Sequence, residues 1–412
     1  MAQTNIPFGH PLARKVFGAA VFAEVVRAPS LTNRLVGPAP KLGQATAKLE
    51  KMQTSADYPI IRVTDLNKGA GDTVSVDLFN ILEGKPVMGD TKLSGKMMKL
   101  TSSSMDVQLN QCRGGVDTGG RMTQQRTIHD LRRVGLAGLA GWYARLAEQR
   151  RFVHLAGARG SQNTADWVIP LAADGDFSTI MVNSVAPPTY DRHLYSGAAN
   201  AAPADIAAAD MLVLDDIDRM RALIDEQNFP LQPVKFPDDP AAEDEPLFVL
   251  LVSSRVWHHL QTETGSTAWR TFLMNARERS SKNPLFTGMP GMWNGILVRK
   301  MPRAIRFNPG DVVTIATNAD TPGTTTSTVA AGVTVDRSVL LGAQALCEVY
   351  GRHTSSGTHF NWHEEKTDHE NTLEASIASI TGCSKLRFAD KAGRTNDHGV
   401  MVIDSSSPTI VA

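Results

Sequence analysis

"GDTVSVDLFNILEGKPVMGDTKLSGKMMKLTSSSMDVQLNQ", residues 71–111, is the stretch that decides how the rest of the chain is read. Val74, Val76 and Leu78 alternate with Ser75 and Asp77, the period of a half-buried strand, and a second strand-like run covers Met97 to Leu109. Between them "EGKPVMGDTKLSG" is rich in glycine and turn formers and too long for a tight hairpin. The pattern predicts a long two-stranded ribbon with a loose tip. Two strands alone are marginal in water, and no obvious partner run follows, so the ribbon is expected to rest on some other surface.

Upstream, the first fifty or so residues mix Pro, Gly, Ala and basic side chains without periodicity and read as an extended arm. Downstream, "TQQRTIHDLRRVGLAGLAGWYARLAEQRRFVHLA" (123–156) has no proline and carries Ile128, Leu131, Leu139, Trp142, Leu146 and Val153 at helical spacings. This predicts one helix of about 50 Å. Gly135, Gly138 and Gly141 recur within it. Each costs about 1 kcal/mol against alanine, so another element is expected to cross closely there.

Residues 204–227 give an amphipathic helix with an acidic outer face, and "PLFVLLV" (246–252) a buried strand. "SSRVWHHLQTE" reads as a helix opened by a serine cap, and "TAWRTFLMNARER" as another. "GILVRK" and "DVVTIAT" return as strands, "TNADTPGTTTSTVAAG" is an exposed loop, and the stretch from Arg352 is strand-like and polar. The class is α+β.

At 412 residues the chain has room for two or three domains. Forty-two basic side chains balance forty-two acidic ones, so no global charge draws it to nucleic acid or an anionic membrane. The charge is unevenly placed, however. Residues 1–51 hold seven basic side chains against Glu24 and Glu50, whereas residues 205–245 hold twelve acids against Arg219, Arg221 and Lys235. That asymmetry suits subunits meeting head to side. The three cysteines, far apart, indicate neither a disulfide framework nor a four-ligand zinc site. The longest apolar runs fall short of the roughly 20 residues a membrane helix needs.

The densest ionisable cluster is "RHTSSGTHFNWHEEKTDHE" (352–370). A zinc hydrolase needs two histidines four apart on one helical face with a glutamate beside the first. His363 and His369 are six apart, about 240° round a helix. His359 and His363 have the right spacing, but the alternation of Phe360 and Trp362 with Asn361 and His363 favours a strand with a solvated polar face. No Walker loop, nucleophile elbow, paired CxxC or dinucleotide fingerprint occurs. In "NPLFTGMPGMWNGILVRK" (283–300) the glycines lack phosphate-cradle spacing and precede a strand rather than a helix. Gly288, Met289, Met292 and Trp293 read instead as an apolar, adaptable contact turn.

A basic arm, a ribbon, a very long helix and an acidic α/β lobe, with no reactive constellation, suit contact with neighbours. "VTDLNKGAGDTVSVDLFNILEGKPVMGDTKLSG", "VNSVAPPTYDR", "NPLFTGMPGMWNGILV", "LLGAQAL" and "KTDHENTLEASIASITGCSKLRFADKAGRTNDHGVMVI" follow one another between residues 63 and 403. In that succession the chain resembles the major capsid proteins of tailed phages with the Hong Kong 97-type fold, in the N-four-type branch of short-tailed phages. The resemblance implies an N-terminal arm (1–55), an extended loop and its flanks (56–110), a peripheral domain with the spine helix (111–160), an axial domain (161–343) and returning peripheral strands (344–412). It implies that the loop lies over a neighbouring subunit and that axial domains meet around a capsomer centre. Glu83, Lys85, Met88, Lys92, Arg132, Arg133, Gly288, Met289, Met292 and Trp293 are then the expected subunit-interface residues.

The expected partners are copies of the chain itself in hexamers and pentamers, decoration, scaffolding and portal proteins, and packaged double-stranded DNA held without specificity, with no membrane. Any scaffold is expected to be a separate protein. The expected place is the virion capsid, assembled in the host bacterial cytoplasm, and no catalytic, cofactor or metal residue is assigned. Some relatives crosslink a loop lysine to a distant asparagine; Lys85, Lys92, Lys96 and Lys99 are available, but nothing selects one. The alternatives are a metal-dependent hydrolase using His359, His363 and Glu364, and a nanocompartment shell of the same fold.

Overall fold

The structure, a computed structural model, describes the chain outside residues 1–30, 39–52, 67–71, 81, 83, 122–130, 198, 228, 237–238, 240, 242–243, 264–265, 280–282, 284, 287–289, 302, 319–322, 352–358, 391–392 and 409–412. Most of the arm, with its basic side chains other than Arg34, thus lies outside the described residues.

The first strands are β1 (Ile60–Leu66), β2 (Thr73–Phe79), β3 (Ser102–Gln108) and β4 (Asn110–Gly120). After the long helix Leu131–Ala156 come β5 (His193–Tyr195), β6 (Phe248–Val252), β7 (Gly291–Trp293), β8 (Ile296–Lys300), β9 (Ile305–Phe307), β10 (Val312–Ala316) and β11 (Thr324–Thr328). The chain ends with β12 (Val335–Leu341), β13 (Leu346–Gly351), β14 (Phe360–Thr367), β15 (Thr372–Lys385), β16 (Arg387–Ala389), β17 (Thr395–Asp397) and β18 (Val400–Ser406).

Two sheets organise these strands. In the five-stranded sheet β1 runs parallel to β13, β13 and β14 pair along one side of β15, and β4 pairs along the other. The long helix crosses one face, placing Leu139 and Tyr143 in a core with Tyr350, Phe360, Trp362, Ala375 and Ile377. The close approach belongs to the sheet rather than to the helix. A Cβ on Gly114 would stand 2.5 Å from the Trp142 ring, whereas nothing lies within 4 Å of Gly138 or Gly141. Of the three helical glycines only Gly135 meets the expected crossing, 3.0 Å from Val116.

The seven-stranded sheet has the order β5-β18-β12-β6-β8-β7, with β9 also on β12. Its central strand β6 is buried on both faces, as its apolar run required: Val249 and Leu251 enter one core, Phe248, Leu250 and Val252 the other. Helices Leu214–Glu226, Ser254–Glu263 and Ser266–Arg279 cover the second core through Ile217, Met220, Val256, Leu260 and Phe272. Ser253 supplies the expected cap, its hydroxyl accepting from the Val256 N–H at 3.1 Å. The last turn of the long helix, Phe152 to Ala156, reaches the first core, so this helix joins the two sheets.

Two expectations change here. Residues 344–412 do not all return to the five-stranded sheet, because Val400–Ser406 zips along the whole of β12, from Val335↔Ser406 to Leu341↔Val400. Both strands are buried at every position, and pairing them satisfies backbone that could find no water. The ribbon also finds support within its own chain. Val74 and Val107, with Val76, Leu78 and Met105, close a small core against Ile61, Val63, Cys347, Val349, Leu386 and Phe388.

Candidate assembly surfaces

The ribbon pairs from Thr73↔Gln108 to Phe79↔Ser102, and one more bond, from Asn80 N–H to the Thr101 carbonyl at 2.9 Å, closes its regular part. Beyond it the described residues from 82 to 100 are exposed, Val87 alone being half-buried. Leu82, Met88, Leu93, Met97, Met98 and Leu100 are all exposed, Met88 by 76% and Met97 by 75%. Lys85, Lys92, Lys96 and Lys99 are interspersed with them, all exposed. Exposed apolar side chains at this density mark a contact surface. Lys85, Met88 and Lys92 therefore stand where a neighbour could meet them, while Glu83 lies outside the described residues.

The other expected interface residues divide. Arg133 is exposed. Arg132 is engaged inside its own chain, its guanidinium donating to both oxygens of Glu364 at 2.9–3.1 Å while the Trp362 indole donates to the same carboxylate at 2.9 Å. Met292 and Trp293 are half-buried in a hairpin, with Asn294 and Gly295 at φ 45° and 75° as its two-residue turn. The Trp293 indole donates to Asp218 at 3.0 Å, and Gly291 passes so close under Phe272 that a Cβ would stand 1.6 Å from the ring. This segment is first of all an internal edge of the seven-stranded sheet. Gly288 and Met289 lie outside the described residues.

The histidine cluster is divided by its strand. Trp362 and Glu364 face the long helix, and His363 faces the other way, 3.6 Å from Glu365. His359 lies against the Gly351 carbonyl at 3.2 Å. Among the described residues no group of three or more His, Cys, Asp or Glu side chains is placed to hold a metal ion. No helix of the described residues is long and apolar enough to cross a membrane.

Holding these surfaces in place is a set of buried ion pairs. Burial alone would raise the Glu348 carboxyl; the charges of Arg151 and then Arg62 more than offset it and hold it at about 2. Arg151 meets Glu348 at 2.8 Å and reaches Thr32 at 2.8 Å, tying residues 31–34 to the long helix. Arg337 meets Asp404 at 2.7 Å across β12 and β18 and donates to the Ala156 carbonyl at 3.0 Å, a cation at a helix C-terminus. Asp397 receives Lys385 and Arg387, both at 2.7 Å. These residues were missed in the sequence, since the partners of Arg151, Arg62 and Arg337 lie far off along the chain, and Lys385 and Arg387 reach Asp397 from 12 and 10 residues away, beyond any helical or strand spacing. The available signal was charge inside an otherwise apolar strand, Asp336 and Arg337 in "VDRSVLL" and Glu348 in "LCEVYG".

Comparison with known proteins agrees with this architecture. A family model described as phage capsid protein matches residues 5–409. The major capsid protein of Pseudomonas phage KPP25 is 31% identical over 165 residues, 38% of this chain and 43% of the relative, so the alignment spans less than half of that protein's length. The capsid of Ralstonia phage GP4 superposes with a TM-score of 0.70 at 26% identity, covering 100% of both chains. The cyanophage Pam1 capsid asymmetric unit shares the fold, with a TM-score of 0.58 at 20% identity over 90% of this chain and 95% of that one. The α+β, Hong Kong 97-type fold that the resemblance implied is the fold described above. From its family match along nearly the whole chain, and from a fold shared end to end with a phage capsid, the chain belongs to the phage capsid proteins.

Proposed function

We propose that this chain is the major capsid protein of a tailed phage and that copies of it close into an icosahedral shell around double-stranded DNA. The observation that carries the reading is the ribbon tip, whose large apolar side chains stand exposed among the described residues. On this reading the five-stranded sheet and the upper part of the long helix form the peripheral domain, and the seven-stranded sheet with its helices forms the axial domain. The β18 strand belongs to the axial part. The tip lies on a neighbour, and hexamers and pentamers form around the axial domains.

The role is structural and needs no catalytic group. Packaged DNA is held without sequence preference, and portal, scaffolding and decoration proteins complete the particle in the host cytoplasm. Electron microscopy of the purified chain tests this: closed shells of uniform diameter are expected. A stable monomer or dimer by light scattering under every assembly condition would overturn it.

A further inference from the structure

The ribbon joins the five-stranded sheet at Gln108 and Leu109, between the end of β3 and the start of β4. β4 pairs with β15 as far as Asn110↔Thr381, and the next residue of β15, Gly382, lies so close to the crossing chain that a Cβ there would stand 2.1 Å from the Gln108 carbonyl oxygen. In the ribbon ladder the Leu109 N–H donates back to the Asp72 carbonyl at 2.7 Å, so Gln108, one position along, turns its own N–H and C=O away from β2. One side chain takes both. The Gln108 N–H donates to Asn183 Oδ1 at 2.9 Å, and Asn183 Nδ2 donates to the Gln108 carbonyl at 3.0 Å and to the Cys383 carbonyl of β15 at 3.1 Å. A primary amide so placed does what a neighbouring strand does, joining ribbon and sheet where the β4 pairing has stopped.

We propose that Asn183 is a positioning residue, a clamp that fixes the direction in which the ribbon leaves its own subunit. It belongs to "VNSVAPPTYDR", and the residue before it is strained: Val182 has φ 67° and ψ −62°, a conformation that a β-branched residue keeps only where its surroundings impose it. The Asn183 N–H donates to the Met181 carbonyl at 2.8 Å, closing a three-residue turn after the short helix Phe177–Met181. On the far side the segment is pinned where Gly157 admits the Ala186 carbonyl, 2.5 Å from where a Cβ would stand, and where the Thr189 N–H donates to Asp397 at 3.3 Å. Strain held from both sides aims the amide at Gln108. The apolar core under the ribbon base holds it down without setting its angle, since apolar contact has no direction, whereas three hydrogen bonds to one planar amide do. Small angles matter at this point. Ser102, at the far end of the seven-residue β3, stands about 20 Å from Gln108 at about 3.4 Å per residue, so a rotation of about 10° there moves it by about 3.5 Å and the tip beyond it by more. The role in assembly rests on the shell reading above; the clamp itself rests on the geometry of Asn183.

The test reads amide hydrogen exchange and shell formation in the full chain. In the unassembled parent subunit the Gln108 amide is expected to exchange at least about tenfold more slowly, relative to its intrinsic rate, than the Asp106 amide, which faces the same way along β3 with no backbone partner among the described residues. Equal protection of the two overturns the clamp whatever any variant does. Asn183→Ala should bring Gln108 to the Asp106 level, leave the amides of the buried strand β6 at their parental rates, and slow shell formation by light scattering at least about tenfold. Shells that form at the parental rate while Gln108 has lost its protection overturn the positioning role. Exchange that rises equally in β6, or a variant that does not fold, makes Asn183 a residue of general stability and overturns it as well. If the parent itself forms no shells, the shell reading falls, and the comparison of Gln108 with Asp106 still decides the clamp.

Discussion

At the scale of single residues the fold depends on charges that water does not reach. Removing one partner of such a pair leaves the other buried and uncompensated, a cost of about 3–5 kcal/mol. Glu348→Gln should therefore lower the denaturant midpoint of the subunit strongly, since it strands both Arg151 and Arg62. Acid should act through identifiable groups. The folded value of Glu348, about 2, lies below its ordinary 4.5, so its contribution is complete above pH 4.5 and is lost as the pH falls toward 2. His398 works in the same direction from a higher pH. Burial, then the charge of Arg192, lowers it from 6.5 to about 4, so the unfolded chain takes up a proton that the folded one excludes, and stability falls between those values. Its ring lies edge-on to Phe229 and Phe388, with both nitrogens buried and without a hydrogen-bond partner among the described residues. His398→Phe should flatten that part of the pH profile of thermal unfolding and raise stability at pH 5.

At the scale of elements the long helix sits on the sheet through a glycine of the sheet. Gly114→Ala forces a methyl into the Trp142 ring and should cost about 1–3 kcal/mol of subunit stability, whereas Gly138→Ala, with open space around it, should add up to about 1 kcal/mol from helix propensity. Thermal unfolding of the unassembled subunit measures both. A loss of assembly with Gly138→Ala, despite a more stable subunit, would show that a neighbour crosses the helix there. Much of this level was legible in the sequence. The alternation of Val74, Val76 and Leu78 and the continuous run from Phe248 to Val252 each have one physical solution, and the structure adopts it. The close pass at Gly114 was not legible, because the sequence says that a residue is small without saying what lies opposite it. Asn294 and Gly295 were in plain view inside the stretch read as a contact turn, and their chemistry is that of a two-residue hairpin turn.

At the scale of the whole molecule, the resemblance implied that residues 344–412 all return to the peripheral domain. In fact β18 goes back to β12, a pairing between buried strands far apart along the chain that no local pattern announces. The ribbon was read more accurately, as two strands and a loose tip, although its base rests on its own chain and, among the described residues, its exposed apolar side chains lie from Phe79 outward into the tip. That division allows folding and assembly to be separated. The most direct measurement replaces residues 83–95 with a short Gly/Ser turn and compares thermal unfolding of the unassembled subunit with shell formation by electron microscopy. The subunit should unfold within about 1 °C of the parent, because none of the described residues in that range enters its core, while shells should fail to form or should fall apart on dilution. Shells of normal stability from the shortened chain would contradict the account, and so would a subunit that no longer folds.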